Sequence, residues 1–350
     1  MAKEIRIVPY RPDLAATWDA FVEASNNGTL FHKQAFLAYH GEAMARGFHH
    51  LLFYKGDELV AVLPAGMARD KGVVESVGDT FHSPYGSSFG GFVTAGNGFA
   101  RDADLVAALV GHARERSCRH IRITPPPACY PLLPEAGLDF ALLKSGFTLA
   151  NRDLCQVVDL RAMQGRDPLE TYTYACNKQV RKAMREGITV RMDPDLADFH
   201  AILVANRARH NAVPTHSLED LRKLADLVPG AFRLFGAYRD RTGDGKSESG
   251  NAGEPVGRPE ERLIAGMLCF VANPRVLLNF YSCHLEGEAQ TGVANLLIHH
   301  GIDWARQHGF HYYDFGTSSI RMQPNEGLIR FKESFGGGSI LRDTFTSEIH

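Results

Sequence analysis

One order of strands and helices is written into this sequence twice, and that repetition constrains the fold more than any single segment. In the later half, Ile188–Met192 alternates apolar and polar residues as a strand does, and Leu196–His210 and Leu218–Val228 carry helical spacing. Phe232–Tyr238, Leu263–Ala272 and, beyond Asn273-Pro274, Val276–His284 read as strands. A helix from about Thr291 to His308 comes next, with Val293, Leu296, Leu297 and Trp304 on one face. A strand at His311–Phe315, a short helix at Gly327–Phe335 and a strand at Ser339–Thr346 complete the order βααβββαβαβ.

The earlier half repeats it. Ile5–Val8 is a strand, Leu14–Ala24 and Gln34–Ala45 are helices, and His50–Tyr54, Leu59–Met67, Val73–Val77 and Phe89–Val93 are strands. The helix Ala103–Arg116, the strand His120–Thr124, the Pro-rich TPPP, the segment Pro134–Lys144 and a strand near Thr148–Leu160 close it. A length of 350 residues suits two domains of about 100 to 200 residues better than one sheet. The expected class is α/β, of the α+β mixed-sheet kind, with domains at 1–160 and 161–350. The last strand is free to pack on the first domain, and the polar stretch at 241–261 is expected to be a flexible loop.

A net charge of -2 creates no global field toward a polyanion, so a local patch must hold any phosphate and no DNA partner is expected. Met1–Arg11 lacks the apolar core of a signal peptide, and no apolar run approaches the roughly 20 residues of a bilayer span. The expectation is a cytoplasmic protein. Six cysteines lie far apart with no Cys-x-x-Cys pair, and the histidines at 49–50, 299–300, 308 and 311 lack completing ligands, so no metal is expected. Cys283 has no His and Asp partners at a spacing that would activate a thiol.

Sharper signals sit at strand-to-helix turns. In NFYSCHLEGEAQTGVANLLIHHGIDWA, the A-x-x-G-x-A core (Ala289, Gly292, Ala294) resembles the GNAT pyrophosphate loop Q/R-x-x-G-x-G/A, with Ala289 where Gln or Arg is usual. Arg181-Lys182-Ala183 within NKQVRKAMREG, and IRFKESFGG following a DFG-type strand end, resemble two recurrent blocks of FemABX-like proteins. TLFHKQAFLAYH and SPYGSSFGGFV resemble further blocks more loosely. The chain therefore resembles the FemABX-type peptidyltransferases, which implies two tandem GNAT-like domains. No heptad run is present for the coiled-coil arm that some members use toward tRNA.

The resemblance places Lys332, with Phe331 shaping the pocket, where a cation offsets charge on an acyl carbonyl as it becomes tetrahedral; a surface lysine is the plainer reading. Tyr281 can position the acceptor or pass a proton to the leaving group, or be a core tyrosine. Asp314 can order water or the acceptor amine, or cap the next turn. Gly292, Val293, Ala294 and Asn295 form the candidate donor cradle, or a tight packing turn. Lys178, Arg181, Lys182 and Arg185 line one helix face at spacings suited to phosphates, or to plain solvation. His216, in VPTHS, falls where relatives carry a substrate-binding Arg. Tyr85, with Gly86, Gly90 and Gly91, can wall an acceptor cleft or form a turn.

Together these residues lead to an expected transfer of an acyl or aminoacyl group onto an amine of a small-molecule acceptor, a cell-wall or polysaccharide-type precursor. The expected donor is acetyl-CoA or another acyl-CoA. The alternatives are an aminoacyl-tRNA donor, as in peptidoglycan bridge synthesis, and a non-catalytic binding module. Replacing Gly243–Glu260 with a short Gly-Ser bridge should leave solubility and melting temperature nearly unchanged, because loop closure changes by only about 0.6 kcal/mol per doubling of length. A collapse in melting temperature would show that the segment packs.

Overall fold

A computed structural model describes residues 4–68, 79–96, 98–163, 165–240 and 261–349. The chain divides into two compact units, one of Met1–Cys155, Thr317–Pro324 and Ile340–His350, the other of Gln156–Gly316 and Asn325–Ser339. The strand expected at Val73–Val77 and the loop residues 241–260 lie outside the described residues.

The first unit runs β1 (Ile5–Pro9), α1 (Ala15–Ala24), α2 (Gln34–Leu37), α3 (Gly41–Ala45), β2 (Leu51–Lys55), β3 (Glu58–Leu63), β4 (Gly66–Ala68), β5 (Thr80–Ser83), β6 (Val93–Thr94), α4 (Phe99–Glu115), β7 (His120–Ile123), α5 (Gly137–Lys144) and β8 (Thr148–Asp159). β1, β2, β3 and β6 form one antiparallel sheet in that order. β4, β5 and β7 belong to another, in which β5 is parallel to β7. Helical spacing on α4 sets Leu105, Val106, Leu109 and Ala113 into one core with Leu51, Phe53, Leu63, Ile121 and Ile123. Each large side chain so buried contributes about 1.5–3 kcal/mol.

Three expectations change here. The helix expected at Gln34–Ala45 is interrupted by a 3-10 turn at Ala38–His40 and by Gly41, whose φ of 70° lies outside the right-handed helical region, so that α3 starts afresh there. The strand expected at Leu59–Met67 is two strands in two sheets: Pro64 has no N–H to extend the ladder, and a side chain at Gly66 would lie 2.3 Å from the Tyr85 ring. Phe89 is not in a strand; its ring meets Phe31 and Tyr130 edge-on.

In the second unit, α6 (Tyr174–Arg185) precedes β9 (Thr189–Met192), α7 (Leu196–Ala208), α8 (Leu218–Leu227), β10 (Phe232–Asp240), β11 (Glu261–Asn273), β12 (Val276–His284), α9 (Val293–Gln307) and β13 (Tyr312–Thr317). The hairpin β14 (Ser319–Ile320) and β15 (Gln323–Pro324), α10 (Glu326–Glu333) and β16 (Gly338–Glu348) complete the chain. β16 pairs Phe345 with Ile123 of β7, within the first unit. Strands of the second unit follow the order β13, β12, β11, β10, β9. Val293, Leu296, Leu297, Ile302 and Ala305 of α9 share one core with Cys176, Val180 and Ala183 of α6 and with Met267, Leu277 and Tyr313 of the sheet.

Two irregularities shape the carboxyl ends of β12 and β13. Leu268 faces Tyr281 but Cys269 faces Asn279, so Phe280 is an extra residue that bends β12. The parallel ladder between β12 and β13 joins Val276–Leu278 to Tyr312–Asp314, whereas β12 continues to His284.

Buried imidazoles in the first unit make stability depend on pH. Burial lowers His32 to about 4 and His50 to about 3, with neighbouring His49 also lowering His50. Because the folded values lie below the unfolded one, their contribution is present above about pH 6.5 and is lost as pH falls toward 4, on the order of 3 kcal/mol for each. Urea midpoints should therefore fall between pH 7.5 and 4.5. His50→Gln, which keeps an acceptor for the Ala65 N–H and cannot be charged, should lose a smaller share. Equal losses would contradict this account.

Candidate functional site

The carboxyl ends of β12 and β13 carry the residues with chemical potential in the second unit. At the end of β13, Asp314 is 1% exposed and its Oδ1 accepts the Gly316 N–H at 2.7 Å. Gly316 has φ of 68°, a left-handed conformation that favours glycine. Its carbonyl oxygen accepts a hydrogen bond from Lys332 Nζ at 3.0 Å. Lys332 is only 6% exposed, set by α10, whose Asn325 cap accepts from Leu328 N. A lysine is seldom buried unless its charge is matched. The structure thus brings Lys332 and Asp314 to one glycine, and Phe331 beside them packs on Phe335 at 5.4 Å.

Tyr281 and His216 form a different pair. The His216 N–H donates to Tyr281 Oη at 3.2 Å, and Oη shares a second hydrogen bond of 2.9 Å with His216 Nδ1. Burial raises the phenol's pKa, while hydrogen bonds from His216 and Thr215 act to lower it. Both residues are 3% exposed. The hydroxyl ties the turn before α8 to β12, which fits the core reading of Tyr281. Tyr281 lies three residues beyond Leu278, the partner of Asp314, about 10 Å along the strand.

The candidate donor loop closes β12 onto α9. Gly287 and Gly292 are both left-handed, and no side chain caps α9 at Gly292. Helix N-termini leave first-turn N–H groups without intrahelical partners, here those of Val293, Ala294 and Asn295. Thr291 Oγ1 accepts one of them, from Val293, at a long 3.3 Å. Val293's side chain is fully buried, so only its backbone can face a ligand. Asn295 Nδ2 donates to Cys176 Sγ at 3.4 Å.

Helix α6 abuts this loop. A Cβ on Gly292 would lie 2.4 Å from the Gln179 carbonyl oxygen, so close helix packing alone demands glycine. Lys182 Nζ donates to Gln290 O at 2.6 Å, and Arg239 pairs with Glu288 at 3.0 Å. Arg181 Nε donates to Asn177 Oδ1 at 2.7 Å, whereas the exposed Lys178 and Arg185 face solvent. Sequence reasoning missed Gln179, Thr215 and Gly316 as site residues; a glycine directly after Asp-Phe at a strand end is the signal for the last.

Tyr85 is buried in the first unit, where a Cβ on Gly47 or Gly66 would press on its ring. Gly86 and Gly91 are left-handed, and the Gly86 carbonyl is bound by His40. Burial pushes the Cys283 thiol up to about 12, unsuited to a nucleophile. Among the described residues, no group of three or more His, Cys, Asp or Glu side chains could hold a metal, and no helix is long and apolar enough to cross a membrane.

The fold has counterparts among known proteins. Residues 171–332 match the acetyltransferase (GNAT) domain family. FemX superposes with a TM-score of 0.68 at 14% identity, over 98% of this chain and 97% of its own. The chain has a FemABX-like tandem GNAT fold. A tandem GNAT protein from the clavulanic acid biosynthesis pathway gives 0.53 at 13%, over 99% of each chain. L-PGS from Bacillus licheniformis gives 0.55 at 13%, over 96% of this chain and 91% of its own. No curated protein matches by sequence. The domain match covers residues 171–332, and the solved structures share the tandem GNAT fold over nearly the whole chain.

Gly292→Ala should cost about 2 kcal/mol or more, since φ of 80° and the Gln179 carbonyl both oppose a methyl group. Thermal melting would show this as a drop of several degrees; an unchanged melting temperature would mean that α6 does not press on the loop.

Proposed function

We propose that the chain moves an acyl group from a coenzyme A thioester onto an amine, by direct attack within a ternary complex, with Lys332 stabilising the developing oxyanion. The observation that carries this reading is the buried Lys332 ammonium at the carboxyl end of β13, held on Gly316. In a water-poor setting a fixed cation acts more strongly on developing charge than it would in bulk solvent, and needs little reorganisation. Positioning of donor and acceptor supplies the rest. The tetrahedral intermediate collapses with loss of the thiolate, and the amine's proton leaves to solvent or a nearby acceptor. Tyr281, its hydroxyl already engaged by His216, is assigned to shaping the site.

The donor pyrophosphate would rest on the first-turn N–H groups of Ala294 and Asn295, with the exposed Lys178 and Arg185 of the cluster as counter-charges. A small cluster suits coenzyme A better than a long polyanion, whose binding rests on many phosphate contacts. The acceptor class proposed is a cell-wall or polysaccharide-type precursor, acted on in the cytoplasm.

A second reading has its own observations. Glu288 in the loop, Ala289 in place of Gln or Arg, and α6 pressed on Gly292 favour a donor without a pyrophosphate there, such as the aminoacyl ester of a tRNA. Titration of acetyl-CoA and of charged tRNA over a salt series separates the two. Micromolar, steeply salt-dependent tRNA binding without acetyl-CoA binding would select the second. Binding without turnover of either donor across an amine panel would instead mark a binding module.

Lys332→Ala is expected to lower kcat by about 10²-fold or more with smaller change in KM, because the contact acts mainly in the transition state. Unchanged turnover would remove Lys332 from the chemistry.

A further inference from the structure

Lys332 is a long, flexible side chain whose ammonium must stand at one place to be useful. A hydrogen bond to Gly316 O ties it to that carbonyl. That carbonyl is itself fixed only if Gly316 is, and glycine populates left- and right-handed conformations about equally. The Asp314 carboxylate holds Gly316 in the left-handed state by accepting its N–H at 2.7 Å, from a side chain 1% exposed on a strand paired to Leu278. We propose that Asp314 is a positioning residue, which sets the Lys332 ammonium through the backbone of Gly316 rather than by touching water or the acceptor. This rests on the reading of Lys332 given above for its consequence, but not for its geometry.

The two roles open to Asp314 make opposite demands on its chemistry. A base needs a charge and a path to the substrate; a positioning group needs an acceptor oxygen aimed at one N–H. Asparagine keeps the oxygen and loses the charge, and alanine loses both. Gly316 offers an independent handle, because a Cβ there would meet only Leu278 Cδ1 at 3.9 Å, so Gly316→Ala strains φ without a clash.

The test is amine labelling of the full chain with N-hydroxysuccinimidyl acetate, read at Lys332 by peptide mass spectrometry, with exposed Lys178 as the internal standard. Asp314→Ala should speed labelling of Lys332 relative to Lys178 about tenfold, the net worth of one hydrogen bond. Asp314→Asn, compared at matched melting temperature, should restore the slow rate. Equal labelling in the parent and Asp314→Ala, or an Asn variant as fast as Ala, overturns the proposal. If Asp314→Ala does not fold, Gly316→Ala replaces it: faster Lys332 labelling supports the proposal and an unchanged rate overturns it. Turnover of Lys332→Ala decides the chemical reading separately, since labelling reports position whatever that turnover is.

Discussion

Everything chemical in the second unit depends on two parallel strands that stay together for only a short distance. β12 and β13 share a ladder at Val276–Leu278 and Tyr312–Asp314, and the extra residue Phe280 bends β12 away from a regular register. In an open α/β arrangement, ligands bind beyond the carboxyl ends of parallel strands, where helix N-termini and strand-end side chains converge. Here the end of β12 leads to the loop and the N-terminus of α9, and the end of β13 leads to Asp314 and Gly316, which meet Lys332. The candidate donor cradle and the candidate oxyanion cation thus follow the carboxyl ends of two neighbouring strands.

Conformation and charge are then fixed by two left-handed glycines used for different ends. Gly292 admits the α6 backbone, so its glycine character answers to packing whether or not a phosphate ever lies there. Gly316 has open space where its Cβ would be, and answers instead to the direction its carbonyl must take toward Lys332. Between them, the basic residues of α6 are not equivalent. Lys182 is engaged by the loop carbonyl of Gln290, and Arg181 by Asn177, which leaves the exposed Lys178 and Arg185 as the pair oriented to solvent.

The element order was legible in the sequence because apolar periodicity survives wherever one face is buried, as on α4 and α9. Lys332 was legible through its block, and Asp314 through its place at a strand end. Contacts between distant residues were not: His216 and Tyr281 are 65 positions apart, and Gly292 and Gln179 meet across two helices. The burial of Tyr85 was not legible for a related reason. Its Gly/Ser-rich neighbourhood reads as an open turn, yet the glycines that enclose it, Gly47 and Gly66, lie elsewhere in the chain. Pro64 was visible as an end to hydrogen bonding, but not that the chain would change sheets there.

The two units also show why a repeated plan need not repeat a site. In the second, α9 connects β12 and β13, which are neighbours in one sheet, so its N-terminus sits where those neighbours part. In the first, α4 occupies the corresponding place in the order, yet β6 before it pairs with β3 in one sheet and β7 after it belongs with β5 in another. β6 spans two residues against nine in β12, and β6 has no parallel partner in its sheet. The same order of elements, folded across two sheets instead of one, thus does not set a pair of parting parallel strands beside that helix among the described residues, and the family match over 171–332 falls mainly on the unit that has one.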